Sequence, residues 1–447
     1  MPTLPPDFLS QIRTFLPESE EESFIRSLQE APLSSIRLNP HKTIKIEQPL
    51  KRVLWSQRGF YLEKRPYFTE DPLFWAGAYY VQEASSMFLE QVINTIALAQ
   101  EAVVLDLSAA PGGKSTHLLS LLPQDTLLVS NEIVRNRANI LQENLCRWGQ
   151  SNYIVTQSEA KVWGQLEGFF DAILVDAPCS GEGMFRKEEQ ALSEWSLENV
   201  NFCAARQKDI LKDVLPALAN GGYLIYSTCT YNPQENEENI QWLIETYDLE
   251  HLEIPLDTTW GVRKAKWGYK FFPHLLQGEG FYIACLRKKG QNRASKIRKN
   301  IFAPAAKKEA QSLKSWLDNT SEKEIFSYQQ KNLLLHPLHT EYISRIAQIA
   351  YIRHTALEIG AFKQKDFIPT HDLAMSSHLA PQIPSVELDK EAALQYLSKK
   401  DFILPENTAK NWCLIKYQGL ALGWIKVLGN RINNYYPSEI RIRNLPK

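Results

Sequence analysis

Between about Trp75 and Lys289 the chain alternates two kinds of hydrophobic pattern. Short apolar runs recur: VVLDL (Val103–Leu107), LLVSN (Leu127–Asn131), YIVT (Tyr153–Thr156), AILVD (Ala172–Asp176), YLIYST (Tyr223–Thr228) and FYIACLR (Phe281–Arg287). Continuous Val, Ile and Leu over so few residues read as strands buried on both faces. Between them, Arg135–Trp148 and Asn199–Leu218 space their apolar residues at helical intervals. Strand runs separated by helices predict a parallel sheet with right-handed crossovers, a doubly wound α/β core. Residues 1–74 mix an amphipathic helix near Asp7–Leu16 with short turn-bounded runs such as SIRLNPHK (Ser35–Lys42), and predict a small α+β cap. After a basic stretch at 290–310 the pattern shifts again. Residues 311–447 carry a helical region around Glu341–Arg353 and strand-like runs at Cys413–Tyr417 and Leu420–Val427, which predict one or two further small domains.

A chain of 447 residues exceeds one ordinary core, in keeping with that partition. With 44% hydrophobic and 23% charged residues and no long apolar run, the composition predicts a globular protein without a membrane span. The N-terminus lacks the charged-then-apolar layout of a signal peptide, so a cytoplasmic location is expected. Six cysteines without a C-x-x-C pair match neither a disulfide framework nor a zinc site, and a reducing compartment is the default. The net charge of −1 argues against wholesale electrostatic attraction to nucleic acid, but local clustering matters more than the total. Arg287, Lys288, Lys289, Arg293, Lys296, Arg298, Lys299, Lys307 and Lys308 form such a cluster, readable equally as a solvated linker or as an RNA-contacting one. Nothing requires more than a monomer.

The strongest local signal is LDLSAAPGGKS, Leu105–Ser115, which follows the first strand run and opens a helix. A strand, a Pro-Gly-Gly turn and a helix N-terminus form a ligand-binding arrangement, with backbone amides free to receive a carboxylate. Gly112 and Gly113 allow close backbone approach, and Lys114 adds positive charge. A phosphate-binding Walker loop would need Gly where Ser108 stands, the dinucleotide fingerprint is absent, and a purely structural turn remains the third reading. Glu132 ends the second strand, where a carboxylate can accept hydrogen bonds from ribose hydroxyls; its bland alternative is a surface acid. Asp176 ends the fourth strand, where sheet ligands collect, whereas Asp171 sits at that strand's start.

DAPCSGEG (Asp176–Gly183) and STCT (Ser227–Thr230) each place a cysteine just past the carboxyl end of a strand. Cys146, Cys203, Cys285 and Cys413 lie inside helix or strand patterns and read as small core residues. For the pair Cys179 and Cys229, a disulfide conflicts with the compartment, and a metal site lacks further ligands at the right spacing. Covalent catalysis by a thiolate fits best.

Taken together and in this order, Leu105–Ser115, Asp176–Gly183 and Ser227–Thr230 resemble the Sun-type RNA 5-methylcytosine methyltransferases. Further matches are AGAYYVQEASSM (Ala76–Met87), GEGMFRKE (Gly181–Glu188), GYKFFPHLLQGEGF (Gly268–Phe281) and GWIKVLGNRINNYYP (Gly423–Pro437). With these the whole chain is similar to the RsmF branch, which acts on small-subunit ribosomal RNA in bacteria. The resemblance implies a class I, Rossmann-like methyltransferase core over 75–289 using S-adenosyl-L-methionine. It also implies an N-terminal RNA-binding cap, a C-terminal PUA-like RNA-binding domain, and ribosomal RNA or the small subunit as partner. Residue by residue, it makes Cys229 the nucleophile and Cys179 the residue that assists product release. It places Ser108, Ala109, Ala110, Pro111, Gly112, Gly113 and Lys114 around the cofactor, Glu132 at the ribose and Asp176 near the methionine end. Glu159 stands where the family has an Asp at the adenine. Trp424, Lys426, Arg431, Tyr435 and Tyr436 would suit RNA contacts. Two other readings compete: a transfer-RNA cytosine methyltransferase, and a non-catalytic RNA-binding assembly factor.

The chemistry accounts for the residue types. Carbon 5 of cytosine is a weak nucleophile until a thiolate adds at carbon 6 and makes the ring enamine-like; a base must later take the carbon 5 proton so that the thiol can leave. Asp176 is the candidate to hydrogen-bond the ring nitrogen or exocyclic amine.

Overall fold

The computed structural model describes residues 4–45, 49–290, 300–318, 320, 322–364, 366–429 and 431–443. At its centre is a ten-stranded mixed sheet. Five strands run parallel in the order Tyr153–Thr156, Leu127–Asn131, Val103–Asp106, Phe170–Asp176 and Leu218–Thr228. The strand Phe281–Lys288 then pairs antiparallel with Leu218–Thr228, and Tyr269–Phe271 follows it. Continuous apolar runs form these strands because both faces are covered. Val103 and Leu105 enter one hydrophobic cluster and Val104 the other; Ile173 and Val175 alternate in the same way with Ala172 and Leu174. Asp171 locks the register from the far end, its carboxylate accepting from the Val103 amide at 2.8 Å.

Strand order reverses between Val103–Asp106 and Phe170–Asp176, since the chain leaves the first towards Leu127–Asn131 and returns on its other side. Crevices open at the carboxyl ends of strands at such a reversal. The glycine turn, Glu132 and both cysteine loops all lie at these ends.

The N-terminal part contributes helices Pro6–Ile12 and Glu18–Ser27 and a three-stranded antiparallel sheet. That sheet takes its third strand, Tyr79–Val81, from beyond residue 74, pairing it with Ser34–Leu38. The two modules are pinned by a buried and a half-buried cation. Arg37 donates to Gln82 at 2.8 Å and to Thr116 of the helix Gly113–Leu121 at 2.6 Å. Lys42 reaches the carbonyls of Ala76 and Arg147, each at 2.7 Å. Burial pulls the Lys42 ammonium down to about 7, below the ordinary lysine range.

Past the core lie two β modules. One is a five-stranded antiparallel sheet, Ala303–Pro304 to Asp366–Pro369; the other has four strands, Ser385–Glu387 to Arg431–Asn434. The helix expected over Glu341–Arg353 runs instead from Pro337 to Ile346, and Ile352–Thr355 is a strand. It pairs antiparallel with Tyr153–Thr156 and becomes the outermost strand of the central sheet. An unpaired sheet edge offers hydrogen bonds that outweigh a local helical pattern. Trp424 and Tyr436, expected at an RNA surface, are core residues, at 1% and 2% exposure. The Trp424 indole donates to the Thr370 carbonyl, and Tyr436 packs on Tyr396. Arg431 and Tyr435 are exposed, and Lys426 lies 3.8 Å from Asp366. Of the basic cluster, Lys288 caps the Leu218 carbonyl and Lys289 pairs with Asp248, while Arg293, Lys296, Arg298 and Lys299 fall outside the described residues. Among the described residues no helix is long and apolar enough to cross a membrane.

Candidate active site

The strand Val103–Asp106 delivers the chain into a turn whose Gly112 has φ of 115°, a left-handed conformation that favours glycine, before the helix Gly113–Leu121 begins. Asn131 fixes the turn from the next strand: its amide donates to the Leu107 and Ser158 carbonyls, both at 3.0 Å, and its carbonyl oxygen accepts from the Ser158 amide. Arg137 adds a bond to the Ala110 carbonyl at 2.9 Å. The result is a cleft of about 180 Å³ lined by Ser108, Ala109, Ala110, Pro111, Gly113, Lys114 and Asp176, with Tyr80 to Glu83 and Ser86 forming the opposite wall.

Two buried carboxylates stand at the carboxyl ends of the flanking strands. Glu132 is 2% exposed; one oxygen accepts from the Val134 amide at 2.9 Å, and the other lies 3.5 Å from Arg137 without a hydrogen bond. Asp106 is fully buried; Ser115 donates to one oxygen at 2.6 Å, and the other has no partner. Burial raises the Asp106 carboxyl to about 7, offset in part by the Ser115 bond. Glu159 sits apart. It precedes the helix Ala160–Trp163, is largely exposed, and holds Lys161 at 2.6 Å.

Asp176 joins this half to the cysteine half. One oxygen binds Lys114 at 2.8 Å, and the other accepts from Ser227 at 2.7 Å. Burial opposes the charge on Lys114, yet Asp176, its hydrogen bond, Asp106 and Cys229 together hold the ammonium above the ordinary lysine value. The sulfurs of Cys179 and Cys229 are 3.1 Å apart, both free thiols, and the Cys229 amide points at Cys179 at 3.4 Å. Hydrogen bonding to Cys229, then burial, pushes the Cys179 thiol well above its ordinary range. The other four cysteines are buried, as their patterns predicted.

A profile described as 16S rRNA methyltransferase RsmB/F matches residues 93–287. Profiles of the RsmF N-terminal domain and the RsmF PUA domain match residues 4–84 and 383–442. Ribosomal RNA small subunit methyltransferase F of Vibrio parahaemolyticus is 32% identical, over 99% of this chain and 98% of its own. That of Shewanella loihica is 31% identical over 97% and 94%. The chain belongs to the RsmF family. Among solved structures, a methyltransferase homologue from Pyrococcus horikoshii is 28% identical, with a TM-score of 0.53, over 64% of this chain and 100% of that one. NSun6 from the same organism, at 20% identity, a TM-score of 0.54 and coverage of 64% and 99%, shares the fold.

As an RsmF family member the chain is a methyltransferase dependent on S-adenosyl-L-methionine, with a class I core, an N-terminal domain and a PUA domain that implies an RNA substrate. The cleft fits that cofactor. The turn from Ser108 to Pro111, the helix start at Gly113, Lys114 and Asp176 line it, groups that suit a carboxylate and an ammonium. Glu132 and Asp106, at the ends of the flanking strands, each bury an oxygen without a hydrogen bond. Residue types alone did not pick out Asn131, Gln82 or the two glutamates Glu182 and Glu235 below the cysteines. Asn131, Gln82 and Glu182 are polar residues inside quoted segments, Glu182 as the acid within Gly181–Gly183, while Glu235 lies past STCT, where the signal was the cluster of Asn, Gln and Glu in Asn232–Asn236.

Proposed function

We infer that the protein transfers a methyl group from S-adenosyl-L-methionine to carbon 5 of a cytosine in 16S ribosomal RNA, through a covalent bond between Cys229 and carbon 6 of the base. The observation that carries this reading is the pair of free sulfurs 3.1 Å apart, at the strand end next to the Lys114–Asp176 ion pair. Ser108 to Lys114 would cradle the methionine portion of the cofactor, Glu132 would hold the ribose, and Glu159 would lie towards the adenine. When bound, the cofactor supplies a methyl group on a sulfonium.

The Cys229 thiolate adds at carbon 6, and the displaced ring electrons make carbon 5 nucleophilic. Asp176 accepts a hydrogen bond from the exocyclic amine and holds the ring with the face of carbon 6 towards the sulfur. After carbon 5 is methylated, its proton must leave, its C–H electrons must restore the 5,6 double bond, and the carbon–sulfur pair must return to Cys229. Cys179 is held as a thiol beside that sulfur, so it can hand its proton to the departing Cys229 thiolate. As that proton moves, the Cys179 thiolate, with its high proton affinity, takes the carbon 5 proton and the C6–S bond breaks; the Cys229 thiol then loses one proton to solvent, which restores the starting thiolate. The target cytosine must be unstacked to reach the sulfurs. The N-terminal and PUA domains would hold the flanking RNA, in the cytoplasm, on a monomeric enzyme and on the small subunit or its RNA. The names of the RsmF relatives favour ribosomal over transfer RNA. Bisulfite sequencing of 16S ribosomal RNA incubated with the protein and cofactor tests this: a newly protected cytosine is expected, and label transfer without any protected cytosine would overturn the assignment of the base.

A further inference from the structure

Beneath the two sulfurs the cysteine loops exchange carboxylates. Glu182, three residues after Cys179, is fully buried and turned into the other loop. Its Oε2 accepts from Thr230 Oγ1 at 2.6 Å, the Tyr231 amide at 2.8 Å and the Asn232 amide at 3.0 Å, the three residues that follow Cys229. Its Oε1 accepts from Asn232 Nδ2 at 3.0 Å and from the Trp195 indole at 3.1 Å. Glu235, six residues after Cys229 and also fully buried, returns the contact. It accepts from the amide and hydroxyl of Ser180, the residue after Cys179, at 3.0 and 2.5 Å, and from Gln207 at 2.8 Å. Asn232 joins the two, its amide donating to Glu235 at 2.7 Å as well as to Glu182.

The backbones meet as well: the Gly183 amide donates to the Cys229 carbonyl at 2.9 Å. A side chain on Gly183 would collide with the Gly280 carbonyl, so only glycine lets the Cys179 loop lie this close to the segment before the strand Phe281–Lys288. The donors to the two glutamates are hydroxyls, amides and an indole, drawn mostly from the opposite loop, with no basic side chain among them.

We propose that Glu182 and Glu235 form a reciprocal clasp that positions Cys179 and Cys229, setting the sulfur-to-sulfur spacing on which base attack and product release depend. This rests on the covalent reading above, and both glutamates are positioning residues that touch neither substrate nor cofactor. Two alternatives are weaker. Carboxylates buried only to fill space would be better replaced by apolar side chains, since desolvating a charge is costly without such partners. Carboxylates serving only their own loop would bond within it, whereas both cross between the loops. Burial and the neighbouring Glu182 push the Glu235 carboxyl upward, while the Ser180 and Asn232 bonds act against that rise.

The test is steady-state methylation of 16S ribosomal RNA by Glu182→Gln, Glu235→Gln and the double variant, with cofactor affinity measured separately by calorimetry. Glutamine keeps the shape but turns an acceptor into a donor that faces other donors. Each single variant should lose roughly 10- to 100-fold in kcat, the scale of a misplacement near 1 Å, with cofactor affinity and RNA KM within about threefold of wild type. The double variant should be no more than about threefold worse than the weaker single, because both act on one unit through Asn232. Unchanged kcat in both singles, equal losses in kcat and cofactor affinity, or fully multiplying effects would overturn the clasp. If a glutamine variant fails to fold, Thr230→Val removes one donor and leaves both carboxylates; it should lower kcat in the same selective way, and wild-type kcat there would also overturn the proposal. Cys229→Ala run alongside separates the two readings: methylation by that variant would sink the covalent mechanism, whatever the glutamates do.

Discussion

The two halves of the crevice bury carboxylates in opposite ways. On the cofactor side, Asp106 and Glu132 each keep an oxygen without a hydrogen bond. On the cysteine side, Glu182 and Glu235 accept from several donors apiece, all within the protein. A buried acceptor left open is costly unless something else completes it, whereas a saturated one rigidifies what surrounds it. The first half keeps acceptor capacity unused within the protein, and the second uses its own to tie the two cysteine loops together.

The sharpest break in this contrast comes at the sulfurs. Cys229→Ala should lower tritium transfer from the cofactor to RNA by roughly 10⁴-fold or more, since the attacking atom is gone. Cys179→Ala should slow turnover by roughly 10²- to 10⁴-fold and accumulate an RNA–protein adduct that survives denaturing electrophoresis; a slow variant without an adduct would remove the release role from Cys179.

Next in size is the pH dependence of Asp106. Its folded-state carboxyl titrates at about 7, above the unfolded value, so the group favours the folded state while protonated. That contribution is full below about pH 4 and is lost as pH rises towards 7. Relative to Asp106→Asn, wild-type stability should fall by about 4 kcal/mol across that window, read from denaturant melts at several pH values. A parallel pair of pH profiles would show that Asp106 is charged in the fold.

Glu132→Ala should cost about 2 kcal/mol of cofactor binding, roughly thirtyfold in Kd by calorimetry, with the RNA affinity unchanged. An equal loss on the RNA side would mean that Glu132 supports the loops rather than a ribose. Glu159 should matter least. Its carboxylate is largely exposed and paired with Lys161, so Glu159→Ala should weaken cofactor binding by about threefold, and unchanged affinity would remove it from the site.

The parallel core was legible because its strands are buried on both faces and read as unbroken apolar runs; Leu127–Asn131 and Tyr153–Thr156 match their sequence limits residue for residue. The glycine turn and the two cysteines were legible because each follows such a run directly. What escaped was non-local. Ile352–Thr355 continues a helical spacing and becomes a strand only because Tyr153–Thr156, far earlier in the chain, offers it an edge. The RNA-contact expectation for Trp424 and Tyr436 met a similar obstacle: aromatic residues in a basic segment look alike whether they stack on a base or fill a core. Glu182 and Glu235 escaped because an acid in a loop carries no mark of the loop it will bind.

That late strand also constrains how the protein is made. Until the segment around Ile352 has emerged from the ribosome, the sheet that carries the active site has a bare edge at Tyr153–Thr156, ready to pair with any extended chain nearby. The nascent methyltransferase core is thus left open while the first strands of the next sheet are being synthesised, and its edge is sealed by the same stretch of chain that leads on to the RNA-binding domain.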